Sequence, residues 1–135
     1  MDLILKPPAV TMLYAALAGI LLVALALNVV RFRLGRRVGL GFGADGILEQ
    51  PVRVHANFAE NAPVFLVLLL LAELAGLAAG WLHAAGVVFL AARLAHAFGL
   101  GSSPGRTPGR FLGSAGTWTV ILALSGYLLV QTLGH

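Results

Sequence analysis

Four polar side chains stand at fixed spacing inside one largely apolar stretch of the chain: Arg53, His55, Asn57 and Glu60. At about 100° of rotation per helical residue, Arg53, Asn57 and Glu60 fall on one stripe within about 60° of arc. His55 points about 200° away from Arg53 and therefore faces a different neighbour. Because arginine binds planar carboxylates and phosphates through paired hydrogen bonds, this stripe predicts a site for a small anionic ligand.

Further polar groups could join this stripe from other parts of the chain. Arg93 and His96 are three residues apart, which places them on one face of a helix. Arg31 and Arg110 border two other apolar segments. We predict that these side chains converge on one pocket that is rich in arginine and poor in carboxylates. In the structural alternative, the buried arginines simply neutralise Glu60 inside a helix bundle.

The composition says which kind of protein must position these groups. The chain has 135 residues, of which 59% are hydrophobic and 10% are charged, with a mean hydropathy of +0.94. A typical soluble domain carries about 25% charged residues, and disordered chains need low hydrophobicity. The composition therefore excludes a disordered chain and argues against an ordinary soluble fold. The length suits four membrane-spanning helices of about 20 residues each.

We therefore predict an all-α integral membrane protein, a four-transmembrane-helix bundle with residues 1–135 as one domain. The predicted helices cover about 8–31, 48–78, 81–98 and 111–133. Pro63 lies inside the second helix and is expected to bend it. The first apolar run is too long for a secretory signal peptide, and its arginines follow the run instead of preceding it.

The arginines also predict the orientation in the membrane. The first and third interhelical loops hold most of the basic residues: Arg31, Arg33, Arg36, Arg37, Arg106 and Arg110. The opposite face has Lys6 together with Asp2. Cytoplasmic loops are enriched in Lys and Arg, so both termini are predicted on the non-cytoplasmic side of the membrane. The net charge of +4 thus reflects topology, and we predict no nucleic-acid partner.

Several other sites are excluded by the residues themselves. The chain has no cysteine, which removes thiolate metal ligands and a cysteine nucleophile. Gly41, Gly43 and Gly46 match a nucleotide-binding glycine pattern, but a helix and arginines precede them where that pattern needs a strand. No pair of histidines has metal-ligand spacing, so no metal site is predicted. Glu73 is predicted to have either a structural role, as a hydrogen-bonding or an exposed interfacial group, or a role in a proton or ion path.

The polar residues carry a family resemblance. The segment Arg53-Val-His55-Ala-Asn57-Phe-Ala-Glu60-Asn-Ala-Pro63 resembles the second-helix signature of the MAPEG family, membrane-associated proteins in eicosanoid and glutathione metabolism. Val30-Arg31-Phe32-Arg33 and Arg93-Leu-Ala-His96 resemble that family's motifs at the ends of the first and third helices. The resemblance spans the whole chain and is to a bacterial-type member of the family, which implies a bacterial inner membrane or its equivalent. It implies a homotrimer with a glutathione site between neighbouring protomers, open to the cytoplasm.

The resemblance also implies roles for individual residues, with glutathione as co-substrate. The residues that would bind glutathione are Arg31, Arg53, His55, Asn57, Glu60, Arg93 and His96. Glutathione has two carboxylates for arginines and an ammonium for Glu60, and Asn57 can donate and accept hydrogen bonds. The implied partners are a second and third copy of the chain, membrane lipids and a small lipophilic substrate.

The sequence departs from the family where catalytic members stabilise the glutathione thiolate. Those members carry serine after the fourth-helix arginine or a tyrosine one turn on, whereas here Phe111 follows Arg110 and Ser114 stands one turn on. Leu100 replaces the tyrosine expected after the third-helix histidine. Arg110 and Ser114 are therefore the candidate catalytic residues.

Three functional hypotheses remain open at this point. The first is a glutathione transferase or peroxidase that acts on lipophilic electrophiles, with its enzymatic status uncertain. The second is a non-catalytic trimeric scaffold or lipophile-binding protein. The third is a small transporter that uses Glu73 and the buried arginines.

Overall fold

The fold consists of four long helices. The structure is a computed structural model, and it describes residues 6–102, 105 and 107–134, except for the side chains of 100–102. The helices are α1 (Ala9–Arg36), α2 (Glu49–Leu74), α3 (Ala79–Ser102) and α4 (Pro108–Leu133). Each is long and apolar enough to cross a membrane. Asp2 and Arg106, which carry part of the predicted topology, lie outside the described residues, as does the side chain of Leu100.

The helix ends differ from the predicted ends because local capping decides them. α1 continues beyond 31 to Arg36 and stops where Arg37 adopts a left-handed conformation, with φ of 55°. α2 ends at Leu74, before 78, since Gly76 has φ of 86° and turns the chain back. α4 begins earlier than 111, because Thr107 caps it and Pro108 suits a first helical position.

The bundle core lies between α2 and α3, with contributions from the other two helices. The Phe65 and Phe89 rings stack with their centroids 4.0 Å apart and their planes 4° apart. Both residues are fully buried. Large apolar side chains such as Ile20, Leu122 and Val130 are about 70% exposed on the outside of the bundle. A lipid environment accommodates such a surface, whereas water would not.

Glycines allow α3 and α4 to pack backbone to backbone near one end of the bundle. A Cβ atom placed on Gly109 would lie 2.8 Å from the carbonyl oxygen of Ala95, and one on Gly99 would lie 2.6 Å from the Arg110 nitrogen. The Gly109-x-x-x-Gly113 spacing, which the predicted boundaries placed across a loop, lies wholly within α4. It therefore acts as a helix-packing motif that positions Arg110 beside α3.

At the other end of the bundle, a side chain of α2 caps α1. The Glu73 oxygens accept hydrogen bonds from the backbone nitrogens of Val10 at 3.0 Å and Thr11 at 2.7 Å. These N–H groups belong to the first turn of α1 and have no intrahelical acceptor, and Pro8 offers no side-chain cap. A carboxylate at a helix N-terminus also interacts favourably with the helix dipole. Glu73 thus makes the structural hydrogen bonds that were one of its two predicted roles.

Replacement of Glu73 by glutamine is expected to lower the free energy of unfolding in detergent by about 1–2 kcal/mol. The amide offers one acceptor in place of two and carries no charge. The backbone amides of Val10 and Thr11 should also exchange faster with solvent deuterium. Glu60→Gln, the same change at an exposed position of α2, is the control and should leave both measurements unchanged. Equal exchange at Val10 in the wild type and Glu73→Gln would contradict the capping role.

Candidate functional site

A polar cavity of about 590 Å³ opens at the end of the bundle where α1 connects to α2 and α3 connects to α4. Its volume is in the range of small-molecule sites. It is lined by the loop before α2, the first half of α2, and one residue each from α3 and α4. The lining residues are Asp45, Gly46, Ile47, Glu49, Gln50, Arg53, Ala56, Asn57, Glu60, His96 and Arg110.

The polar stripe of α2 forms one wall of this cavity. Arg53, Asn57 and Glu60 all line it, as their spacing of one and two helical turns requires. His55 lies outside the lining and is half-buried. The stripe is thus a continuous polar surface, with a guanidinium, an amide and a carboxylate available to one ligand.

His96 and Arg110 complete the lining from α3 and α4. His96 is buried, whereas Arg110 is half-buried and its Nη1 donates to the carbonyl oxygen of Gly105 at 2.9 Å. Thr107 fixes the connection between the two helices, since its hydroxyl donates to the Gly99 carbonyl at 2.9 Å and accepts from the Arg110 nitrogen. Sequence analysis missed Thr107, although a threonine before proline is a recognisable helix start.

Arg93 is buried beside the cavity and does not line it. Its Nη1 donates to the side-chain oxygen of Asn57, and its Nη2 donates to the backbone carbonyl of Gly113 at 3.1 Å. Arg93 therefore connects α2, α3 and α4 behind the cavity wall.

Arg31 is not brought to this cavity within one chain. It is exposed on α1, where its Nη2 lies 3.5 Å from the Asn28 side-chain oxygen and its guanidinium lies 5.8 Å from the Phe32 ring centroid. Because α1 stays helical to Arg36, Arg31 remains on the surface of that helix. The predicted convergence of Arg31 with the other groups is therefore not seen in a single chain.

The acidic content of the lining was underestimated from the sequence. The lining holds three carboxylates, on Asp45, Glu49 and Glu60, and two guanidiniums, on Arg53 and Arg110. The prediction of an arginine-rich pocket with few carboxylates was wrong for the described residues.

The loop before α2 brings Asp45 to the lining. Arg36 Nη1 and Asp45 Oδ2 form an ion pair of 2.6 Å, and Arg33 Nη1 donates to the Gly41 carbonyl at 3.0 Å. These contacts fold the glycine-rich loop over the cavity end. The glycine pattern does not show where the loop lies relative to the helices, so the sequence could not predict that Asp45 lines the cavity.

A second, more apolar cavity of about 540 Å³ adjoins the first along α4. It is lined by His96, Thr107, Arg110, Phe111, Ser114, Ala115 and Trp118. Its lining shares His96 and Arg110 with the polar cavity. The two catalytic candidates predicted from sequence, Arg110 and Ser114, therefore face the same cavity, and Arg110 stands at the boundary between a polar and an apolar space.

Comparison with known proteins gives consistent matches. The MAPEG family model matches residues 11–130. The chain is 36% identical over 115 residues to inner membrane protein YecN of Escherichia coli strain K12, which covers 85% of this chain and 86% of that protein. The inner membrane protein YecN of Escherichia coli O6:H1 matches with the same identity and coverage.

Proposed function

We propose, from the premise that this chain belongs to the MAPEG family, that its polar cavity binds glutathione or a closely related thiol. The chain is a membrane protein with four candidate spans. The proposal rests on one observation: a single cavity presents guanidiniums, carboxylates and an amide together. Glutathione carries carboxylates, an ammonium and peptide groups, so each kind of lining group has a counterpart on that ligand.

The charges of the lining favour a zwitterionic ligand over a simple anion. Asp45 is already paired with Arg36. The other charged groups of the lining are the carboxylates of Glu49 and Glu60 and the guanidiniums of Arg53 and Arg110. In our proposal Arg53 receives a ligand carboxylate through paired hydrogen bonds and Glu60 receives the ammonium.

The boundary position of Arg110 supports a catalytic role for the bound thiol. A guanidinium beside a thiol stabilises its thiolate, which is the nucleophilic form. The adjoining apolar cavity would hold a lipophilic electrophile, with Ser114 as a hydroxyl donor on its wall. The thiol loses its proton to water, and its sulfur then forms a bond to the electrophilic atom while that atom's leaving group departs with the electron pair. This displacement is a transferase reaction. In the peroxidase reaction the electrophilic atom is a hydroperoxide oxygen, the alcohol leaves, and a second glutathione converts the resulting sulfenic acid to the disulfide with release of water.

Replacement of Arg110 by methionine is expected to separate thiol activation from binding. The purified protein is titrated with glutathione in detergent, and the heat and the ultraviolet absorbance of the thiolate are followed together. The wild type should bind glutathione and show the thiolate absorbance. Arg110→Met should keep most of the binding heat and lose most of the thiolate absorbance, because the guanidinium proposed to stabilise the thiolate is removed.

The outcomes of that titration separate the hypotheses. If the wild type binds glutathione but shows no thiolate absorbance, the proposed transferase activity is contradicted, whereas the proposed glutathione-binding site is not. Arg37→Met removes the same charge from an exposed residue outside both cavity linings and should behave as the wild type does.

We also propose that the protein works as a homotrimer in a bacterial inner membrane, with both termini on the non-cytoplasmic side. Arg31 and His55 lie outside the cavity of their own chain, and in a trimer such outward groups are available to a neighbouring protomer. A molar mass of one chain in detergent would contradict the trimer.

The side of the membrane on which each terminus lies can be tested by cysteine labelling. Because the chain has no cysteine, a single cysteine introduced near a terminus reacts with a membrane-impermeant reagent only from the side on which that terminus lies.

A non-catalytic scaffold or lipophile-binding protein is the second candidate. The observation that favours it is the buried network of Arg93, Asn57 and Gly113, which holds three helices together without reference to any ligand. Under this function the wild type would fold normally and show no saturable glutathione binding at millimolar concentrations.

A further inference from the structure

We propose that Arg93 is a positioning residue that fixes Asn57 as a hydrogen-bond donor to an oxygen atom of the ligand. This inference rests on the proposed function, because it assigns a task to one wall of the same cavity. The family resemblance implied that Arg93 and Asn57 both bind the ligand directly. Here they have different roles, since of the two only Asn57 lines the cavity.

The chemistry of arginine determines which way the Asn57 amide points. A guanidinium has only donors, so the Asn57 atom that contacts Arg93 Nη1 must be the carbonyl oxygen. The opposite orientation would set the amide nitrogen of Asn57 against a guanidinium N–H, with two donors facing each other. Asn61 Nδ2 lies 3.5 Å from the same oxygen and donates to the Asn57 backbone carbonyl at 2.8 Å. The amide oxygen is therefore committed to the protein.

The remaining polar atom of Asn57, its Nδ2, can donate a hydrogen bond to a ligand in the cavity. Asn57 is part of the lining and Arg93 lies behind it. An amide nitrogen can only donate, so the ligand must offer a carbonyl or carboxylate oxygen at this point. A free asparagine could rotate its amide to suit either a donor or an acceptor, whereas the one held by Arg93 selects acceptors only.

Arg93 is itself held in place, which makes it suitable as an anchor. It is 4% exposed, and its second nitrogen donates to the Gly113 carbonyl on α4. Within the described part of the chain, no carboxylate forms an ion pair with it. Its charge therefore acts on the Asn57 amide, and polarisation along such a hydrogen-bond chain strengthens the outward N–H donors.

The substitution Asn57→Asp tests the inference because it changes only the cavity side of the contact. A carboxylate still accepts from Arg93, so the variant should unfold at the same temperature as the wild type or above it. On the cavity side an acceptor replaces a donor, and the ligand oxygen would face another oxygen. We expect the dissociation constant for glutathione to rise at least about tenfold. Gln131→Glu makes the same change from amide to carboxylate on α4, outside the lining, and should bind within about twofold of the wild type.

Substitution of Arg93 supplies the second measurement. Arg93→Met removes the anchor without adding a polar group, so it should fold and bind glutathione severalfold more weakly, while Arg93→Lys retains a donor and should recover part of the loss. Wild-type affinity in Asn57→Asp or in Arg93→Met would overturn the inference. Unfolding of Asn57→Asp at a lower temperature than the wild type would also overturn it, because the Arg93 contact would then not be kept. A wild type that does not bind glutathione would instead overturn the proposed function itself.

Discussion

Replacement of Gly113 by alanine is expected to lower the free energy of unfolding in detergent by about 2–3 kcal/mol. The added Cβ would lie 2.5 Å from the carbonyl oxygen of Ala92, 2.6 Å from the Cβ of His96 and 2.8 Å from the His96 backbone nitrogen. Two of these atoms belong to the α3 backbone and cannot rotate away. The helices must separate, and the separation should also move His96 in the cavity wall and weaken the hydrogen bond from Arg93 to Gly113.

Gly126 provides the matched control for this substitution. It lies on the same helix, and a Cβ placed there meets no atom within 4 Å. Gly126→Ala should be neutral or stabilising by up to about 1 kcal/mol, since alanine has the higher helix propensity. Thermal unfolding of the two variants in the same detergent makes the comparison. Equal stability of Gly113→Ala and Gly126→Ala would show that α3 and α4 do not depend on this close approach.

Replacement of Arg53 by glutamine is expected to weaken glutathione binding by about tenfold to hundredfold. Arg53 lines the polar cavity from the exposed side of α2. A hydrogen bond to a charged group contributes about 1.5–3 kcal/mol, and each 1.4 kcal/mol is a tenfold change in affinity. Calorimetric titration with glutathione measures the change directly. The unfolding temperature should stay the same, because Arg53 makes no ion pair with any described residue.

Two further variants make the Arg53 result specific. Arg37→Gln removes the same charge from an exposed position outside the cavity lining and should bind as the wild type does. Arg53→Lys keeps the charge and loses the paired geometry, so its affinity should lie between those of the wild type and Arg53→Gln. An equal loss of affinity in Arg37→Gln and Arg53→Gln would mean that overall charge attracts the ligand, without a specific role for Arg53.

Much of the fold could be predicted from the sequence, because its strongest signals are long and periodic. The four apolar runs predict four helices, and the spacing of Arg53, Asn57 and Glu60 places them on one helical face. Helix ends were harder to predict since they depend on local backbone geometry. Thr107 and Pro108 start α4 early, which brings Gly109 and Gly113 into the helix and converts an apparent loop into a packing surface.

The rest of the candidate site depends on contacts between distant parts of the chain. Asp45 reaches the lining from a loop in which it is paired with Arg36. Arg93 lies behind the wall and contacts Asn57, whereas the family resemblance implied that Arg93 would bind glutathione directly. Sequence spacing does not show whether a side chain lines the cavity or is buried behind its lining, because the packing of the neighbouring helices decides this.

A calorimetric titration of the wild-type protein with glutathione, repeated with N-acetylated glutathione, tests the central claim most directly. The intact peptide offers a carboxylate to Arg53 and an ammonium to Glu60, and both residues line the same cavity. The acetylated peptide keeps the carboxylates and the thiol but lacks the ammonium. We expect saturable binding of glutathione and at least about tenfold weaker binding of the acetylated peptide. The absence of saturable heat with glutathione at millimolar concentrations would contradict the proposal that this cavity is a thiol-binding site.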